Sequence, residues 1–482
     1  MLHFGLISTK LHVIRPSEHV VAHYAPISYR GGFMNTFTTK SITRTSLICA
    51  LTLGLGACGA ADDETVDTIQ QGLTANYVIT CKSALPANFP ATIAANGDTL
   101  VHFVPDGGFA VVATGSPNTY KSTSCDVELD IAVQWVTPHQ NVALEAANPP
   151  NSGDDDFFFD LQWGHDAVNA PEAWNAGVRG SGARVAVLDT GFDLTHPDLA
   201  PNINFALSRD FTGQGLAYTL PDPFSHGTHT AGTIAAADNA FGAVGVAPDA
   251  ELVLVKVLHD EGYGSFGDVI AGMYYATNVG ADIISMSLGA LFPRSADTGP
   301  GKLTVAMNRA ASYARKNGSL VIAAAGNDAV DFDHTADWIH LPSDSPGVLS
   351  ISATAPRGWA TPAGSNLDYL ASYSNYGRSA ISFAAPGGDF VYPGNESCVV
   401  AGLTRPCWIF DLVFSTGNRG WYWSAGTSMA APHAAGVAAL IVSEGVKKNP
   451  AALEKAIRAR AEDLGQPGND PAYGGGRVRS GY

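Results

Sequence analysis

Charge is scarce in this chain of 482 residues: Asp, Glu, Lys and Arg together make up 15% of it, with only 27 Lys and Arg against 44 Asp and Glu. The formal net charge of −17 disfavours nucleic acid and anionic membrane surfaces as partners, and an excess of this size is consistent with ordinary solubility. No nucleic acid is therefore expected to bind. Long apolar runs are also missing. The run from Ser46 to Ala57 is too short to span a bilayer in the usual way. No fixed period repeats along the chain, which removes the repeat architectures. What is abundant is apolar and small: 46% hydrophobic residues and 52 glycines argue for large buried cores joined by tight loops, and against a disordered chain. The length allows roughly two to four domains.

Cysteine is sparse, and its placement is informative. Cys49 lies inside the apolar run and Cys58 just after it, behind Leu55, Gly56 and Ala57. Starting from Met34, with Lys40 and Arg44 ahead of the run, residues 34–57 read as an export signal. Small residues followed by cysteine resemble the bacterial lipoprotein signal, in which Cys58 would be acylated; the rival is an ordinary secretory signal cut nearby. Residues 1–33 lack this logic and read as a possible non-native upstream extension, with translation starting at Met34. The remaining cysteines, Cys81, Cys125, Cys398 and Cys407, sit outside the cytosol in this reading and invite two disulfides. Three pairings are open, local pairing is favoured, and free buried thiols are the alternative.

Three segments carry chemistry. Arg184 to Leu188 read as a short apolar strand, and Asp189, Thr190 and Gly191 follow where a parallel strand ends in a turn. An acid there faces the crevice in which open α/β sheets hold ligands, although strand-end aspartates also serve as caps. His226, Gly227, Thr228 and His229 open a helix of small residues. Two histidines three apart can face a metal, but no glutamate lies between them, so the zinc-protease motif fails and His229 reads as a packed structural histidine. Gly426 to His433 place Ser428 at the mouth of a small-residue helix, with Pro432 read as a first-turn residue. Ser428 could be a plain N-cap, or a nucleophile if a histidine takes its proton and a carboxylate fixes that histidine. The strand from Leu320 ends in Ala324, Ala325, Gly326 and Asn327, where an asparagine amide could donate to an oxyanion or simply serve a turn.

Together, in the order Asp189, His226, Ser428, these segments resemble the subtilisin-like serine proteases from about Trp163 to the C-terminus, including a closing segment at Tyr473 to Val478. The resemblance implies an acyl-enzyme endopeptidase in which His226 is the base, Asp189 orients it, Ser428 attacks, and Asn327 with the Ser428 N–H binds the oxyanion. It implies one groove wall at Ser287, Leu288 and Gly289 and the opposite wall at Gly262 to Phe266, with Gly264 and Phe266 touching substrate alongside Ala324, Ala325 and Gly326. The pocket floor falls near His340 and Leu341, where the family often carries glycine. Asp198 and Asn239 match a structural calcium site in many subtilases, with carbonyls of Ala237, Phe241 and Ala243 available and Asp160 close to the usual N-terminal ligand.

The fold expected is α/β: a mostly parallel sheet with helices on both faces at 161–482, preceded by a small α+β segment at 76–147. Strand-like runs at Tyr77–Cys81, Thr99–Val104, Gly108–Ala113 and Val127–Val136 build that segment, which looks like a subtilase prodomain. Residues 58–75 read as a polar tether and 148–160 as a linker with a processing region, so that cutting would release the enzyme from any lipid on Cys58. The function expected is an exported zymogen of a serine endopeptidase acting on protein substrates, inhibited by its own prodomain and monomeric. An esterase or acyltransferase on the same triad and a catalytically silent binding lipoprotein are the alternatives.

Overall fold

The computed structural model describes residues 74–136, 141–143, 154–294, 299–361, 366–392, 394–446 and 449–482. The signal-like segment, Cys58, nearly all of the tether and residues 148–153 of the linker lie outside the described residues. Among those described, no helix is long and apolar enough to cross a membrane.

The N-terminal part holds β1 (Ala75–Cys81), α1 (Phe89–Ala95), β2 (Thr99–Val104), β3 (Phe109–Thr114) and β4 (Cys125–Leu129). The strands form an antiparallel sheet in the order β2-β3-β1-β4. Alternation along β1 and β3 gives this sheet two buried faces. Ile79, Ala110 and Val112 pack under Ile93 of α1, whereas Val78, Phe109 and Val111 face the larger body. Cys81 and Cys125, opposite each other in β1 and β4, are disulfide-bonded.

The run Val127 to Val136 is not one strand. β4 stops at Leu129, and β5 (Ala132–Gln134) leaves the sheet to pair elsewhere. The break falls at Asp130, whose Oδ1 accepts from the N–H of Gly267 at 3.0 Å in the first turn of a helix of the larger body. A carboxylate satisfies an orphan helix donor there, and doing so turns the chain out of the sheet. A short β6 (Asn141–Ala143) follows.

The larger body begins with α2 (Trp163–Ala167) and α3 (Ala170–Asn175), then runs β7 (Arg184–Asp189), β8 (Arg209–Asp210), α4 (His226–Ala235), β9 (Glu251–Lys256), β10 (Tyr263–Ser265), α5 (Phe266–Asn278) and β11 (Ile283–Met286). After these come β12 (Ala290–Pro293), α6 (Gly299–Lys316), β13 (Leu320–Ala324), β14 (Trp338–Leu341), β15 (Val348–Ala355), β16 (Tyr369–Leu370) and β17 (Phe383–Pro386). A disulfide hairpin of β18 (Ser397–Val400) and β19 (Leu403–Pro406), closed by Cys398–Cys407, leads to β20 (Val413–Gly417), β21 (Gly420–Ser424), α7 (Thr427–Ser443) and α8 (Pro450–Arg460).

The central sheet has the order β16-β15-β13-β11-β7-β9-β8, with β17 also on β15, and every pair except β15–β16 is parallel. Its inner strands β7, β9, β11 and β13 are largely apolar because both faces are covered. Val185 and Val187 of β7 pack toward Ala231 and Ile234 of α4 and the apolar length of α7, while Ala186 and Leu188 pack toward Val269 and Met273 of α5 and Met307 of α6. The N-terminal sheet lies over this second face. His102 Nε2 is 2.8 Å from Asp268 Oδ1, and Arg309 donates to Cys81 O at 3.0 Å.

Candidate active site

β7 lies inside the sheet and delivers Asp189 at its C-terminal end, the side on which open α/β sheets hold ligands. The carboxylate is fully buried, accepts from the N–H of Thr190 at 2.7 Å and from Thr230 Oγ1 at 3.1 Å, and lies 2.7 Å from His226 Nδ1. His226 is the first residue of α4, whose N-cap Ser225 accepts from the N–H of Thr228 at 3.3 Å. Gly227 is required beside it, since a Cβ there would fall 2.9 Å from both the Phe192 ring and the Thr190 carbonyl. His229 is wholly buried, its ring 4.6 Å from that of Tyr422. Burial pushes its pKa down to about 3.

Ser428 is the second residue of α7, one after Thr427. Its Oγ donates to Ser287 O at 3.1 Å, while Nε2 of His226 is buried and has no hydrogen-bond partner. Pro432 corrects the sequence reading: the helix starts at Thr427, so the proline sits in the second turn. There its missing N–H deprives the Ser428 carbonyl of its i+4 donor. Ser287 Oγ takes that place, donating to Ser428 O at 2.7 Å. Two buried serines thus exchange hydrogen bonds between β11's exit and α7's entrance.

Asn327 closes the third side. Its Oδ1 accepts from the N–H and the Oγ1 of Thr427 at 2.8 and 2.9 Å, and Thr427 Oγ1 in turn accepts from the N–H of Gly326 at 3.1 Å. With the oxygen end committed, Nδ2 is the donor end of this amide. A carbonyl placed between Asn327 and the first turn of α7 would meet donors at the point where negative charge develops on acyl transfer.

The two expected groove walls are filled by the chain itself. β5 pairs antiparallel with β10, setting Val133 against Gly264 and Ala132 against Ser265. Across from it, the N–H of Gly289 donates to Trp135 O at 2.9 Å. Trp135 is 2% exposed; its indole N–H reaches Gly264 O at 2.9 Å and its ring meets Phe266 edge-on at 4.8 Å. Phe266 and Leu288 are buried against it in one cluster. Downstream, β6 pairs with β21, the strand that leads into α7.

Against the loop after α4, Asp198 is buried, with Oδ2 accepting from the N–H of Ala243 and from Trp421 Nε1, both at 2.9 Å, and Oδ1 without a partner. Asp156 was not singled out by sequence reasoning. It is buried too, accepts from the N–H groups of Asn239 and Phe241 at 3.4 and 3.2 Å, and leaves Oδ2 unpartnered. Carboxylate oxygens of Asp154, Asp155, Asp156 and Asp238 lie within 4.8 Å of one another, with Arg179 paired to Asp238. Burial and the neighbouring Asp154 push the Asp156 carboxyl up. Orphaned buried oxygens in an all-oxygen anionic set are the donors a hard cation such as Ca²⁺ takes. Asp160 instead lines a cavity of about 390 Å³ with Asp154, Asp166, Trp163, Trp174 and Trp359.

Residues 180–476 match the model of the subtilase family, Peptidase S8. The chain belongs to the subtilase family. This subtilase is 37% identical over 322 residues to a thermostable alkaline protease of Halalkalibacterium halodurans, a match covering 67% of this chain and 73% of that protein. It is 34% identical over 328 residues to subtilisin BL of Lederbergia lenta, covering 66% and 97% respectively. Among solved structures, a lanthipeptide protease is similar with a TM-score of 0.54 at 31% identity, over 67% of this chain and 94% of that one. An epidermin leader peptide processing serine protease of Staphylococcus aureus shares the fold, with a TM-score of 0.65 at 20% identity over 85% and 97%. This subtilase is a subtilisin-like serine protease, and its mostly parallel, helix-covered sheet is the one expected from the sequence.

Proposed function

We propose that this subtilase is an endopeptidase made as an exported, self-inhibited precursor, with Asp189, His226 and Ser428 as its triad. The observation that carries the reading is the 2.7 Å contact between Asp189 and His226 Nδ1 beside an unpartnered, buried Nε2, with Ser428 at the head of α7. For reaction, the Ser428 hydroxyl turns from Ser287 O to His226 Nε2, which takes its proton as Oγ attacks the substrate carbonyl. Asp189 accepts from Nδ1–H and stabilises the imidazolium. The Ser428 N–H and Asn327 Nδ2 hold the oxyanion. His226 then passes the proton to the leaving amine, and water releases the acyl group by the same route.

Residues 76–147 act as the prodomain in this reading, because β5 and Trp135 occupy the groove as an extended substrate would. Cutting downstream of Val136, up to and including the linker 148–160, separates that segment from the enzyme. Export, and a lipid anchor on Cys58, rest on the sequence between Met34 and Cys58; the mature enzyme is a monomer acting on protein or peptide substrates. Calcium braces the loop 237–243, held by Asp198 with Asn239 or by the Asp154–Asp156 and Asp238 group.

Ser428→Ala is the test. The variant is expected to fold, to accumulate as uncut precursor by mass analysis of its N-terminus, and to lose casein hydrolysis and fluorophosphonate labelling. Casein hydrolysis that survives in Ser428→Ala, or wild-type enzyme that turns over small esters but no protein, would overturn the reading.

A further inference from the structure

The pocket beside Ser428 has an unusual occupant. β14 pairs with β12 so that His340 lies opposite Leu291 and Leu341 opposite Ala290, immediately after the wall Ser287–Gly289. This register carries the His340 side chain in behind that wall. A Cβ on Gly289 would fall 2.2 Å from His340 Cε1, and a Cβ on Gly326 would fall 2.6 Å from its Nε2. One imidazole therefore reaches from the Gly289 wall to the Gly326 wall, and both walls must be glycine to admit it.

The ring is held in place and is not a mobile gate. Its Nδ1 lies 2.7 Å from Ser343 Oγ, its backbone N–H donates to Asp344 Oδ2 at 3.0 Å, and the residue is 2% exposed. Burial pushes its pKa down to about 4, so the plug is a neutral group at ordinary pH and offers no charge to a substrate side chain. With Trp135 still docked, the space it encloses with His340, Ala324, Leu288 and Ser428 is about 20 Å³. The imidazole lodged between Gly289 and Gly326 takes the place an aromatic ring would need, while a methyl or hydroxymethyl group does not have to pass it.

We propose that His340 restricts this subtilase to peptide bonds whose acyl side carries a small residue: glycine, alanine or serine. The inference rests on the endopeptidase reading above and adds the substrate class of its primary pocket. Withdrawing Trp135 with the prodomain opens the groove upstream, but it leaves the wedge between Gly289 and Gly326 where it is.

The test uses processed wild-type enzyme on two p-nitroanilides, succinyl-Ala-Ala-Pro-Ala and succinyl-Ala-Ala-Pro-Phe, with casein hydrolysis as a control. Wild type is expected to favour alanine over phenylalanine in kcat/KM by at least about tenfold, and His340→Gly to raise the phenylalanine rate by about 10–100-fold, the scale of pocket-fit discrimination. A wild type that cuts after phenylalanine as well as alanine, or a His340→Gly enzyme with an unchanged ratio, overturns the assignment of His340. If His340→Gly does not fold, mass-spectrometric mapping of wild-type cuts in denatured casein decides alone: small residues preceding the cuts support the plug, large ones refute it. Wild type that leaves casein intact overturns the endopeptidase reading, and this inference with it.

Discussion

Replacing Ser287 with alanine isolates one consequence of Pro432. The Ser428 carbonyl sits in a helix that cannot supply its donor, and the Ser287 hydroxyl at 2.7 Å is its substitute. Ser287 and Ser428 are 1% and 5% exposed, so water does not readily replace that hydroxyl. Leaving a buried carbonyl unpaired costs about 1–3 kcal/mol. At about 2–4 °C per kcal/mol for a domain of roughly this size, Tm falls by about 2–12 °C in Ser287→Ala. The same bond orients the Ser428 peptide, so kcat falls about tenfold, the equivalent of about 1.4 kcal/mol, with KM nearly unchanged. Scanning calorimetry and steady-state kinetics on processed enzyme read both. The second arm is Ser287→Ala with Pro432→Ala: an alanine restores the N–H at position 432, and the double variant recovers most of the loss, giving a coupling energy of at least about 0.5 kcal/mol. A Tm within 1 °C of wild type for Ser287→Ala, or double-variant losses that simply add, would refute the reasoning, on the about 0.3–0.5 kcal/mol tolerance of additivity.

Trp135→Ala in the full chain removes the buried anchor of β5, a truncation costing about 3–5 kcal/mol; the lag before activity appears shortens at least tenfold in a continuous fluorogenic assay, and an unchanged lag contradicts the anchoring role. Burial, more than any other cause, pushes the Asp130 carboxyl from 3.8 up to about 6, with the Gly267 N–H pulling the other way and Asp268 adding to the rise. The docked form then holds a proton that the free segment gives up, so docking is strongest below pH 3.8 and is lost as pH rises through about 6. Size-exclusion chromatography of the cut complex is expected to show more separation at pH 7 than at pH 4, with Asp130→Asn flattening the difference. Adding millimolar Ca²⁺ to chelator-treated enzyme raises Tm, by about 2.7 kcal/mol of stabilisation at a hundredfold excess over Kd; Asp156→Asn and Asp198→Asn, measured separately, show which donor set is responsible, and a Tm indifferent to chelator removes the calcium proposal.

The parts of this molecule legible in its sequence are local ones. An apolar run ending in Asp189 and small residues opening a helix at His226 each carry their own strand or helix signal within a few residues, and the sheet follows from those runs in series. Partnerships across the chain left no such trace. Ser287 stands 141 residues from the carbonyl it serves, although a proline four residues after Ser428 already implies that some donor must come from outside the helix. Val127 to Val136 alternates well enough for one strand; the break at Asp130 depends on a helix start that lies 137 residues on. Asp160 reads as close to the usual N-terminal calcium ligand, whereas the folding of residues 154–158 onto the loop after α4 turns Asp156 inward. The plug of His340 was visible as a departure at the pocket floor, while its reach between two glycines required the register of β12 and β14.

Strands β5 and β6 grip opposite stretches of the cleft, one along β10 and the other along β21, while belonging to a single uninterrupted chain. In that state the occupied groove is a unimolecular property, indifferent to how much protein is present. One cut downstream of β5 changes the order of the process: the N-terminal segment becomes a separate species, and its return depends on its concentration in the surrounding medium. For an exported protein, dispersal outside the cell would then serve as the switch, with no added ligand needed to turn the enzyme on.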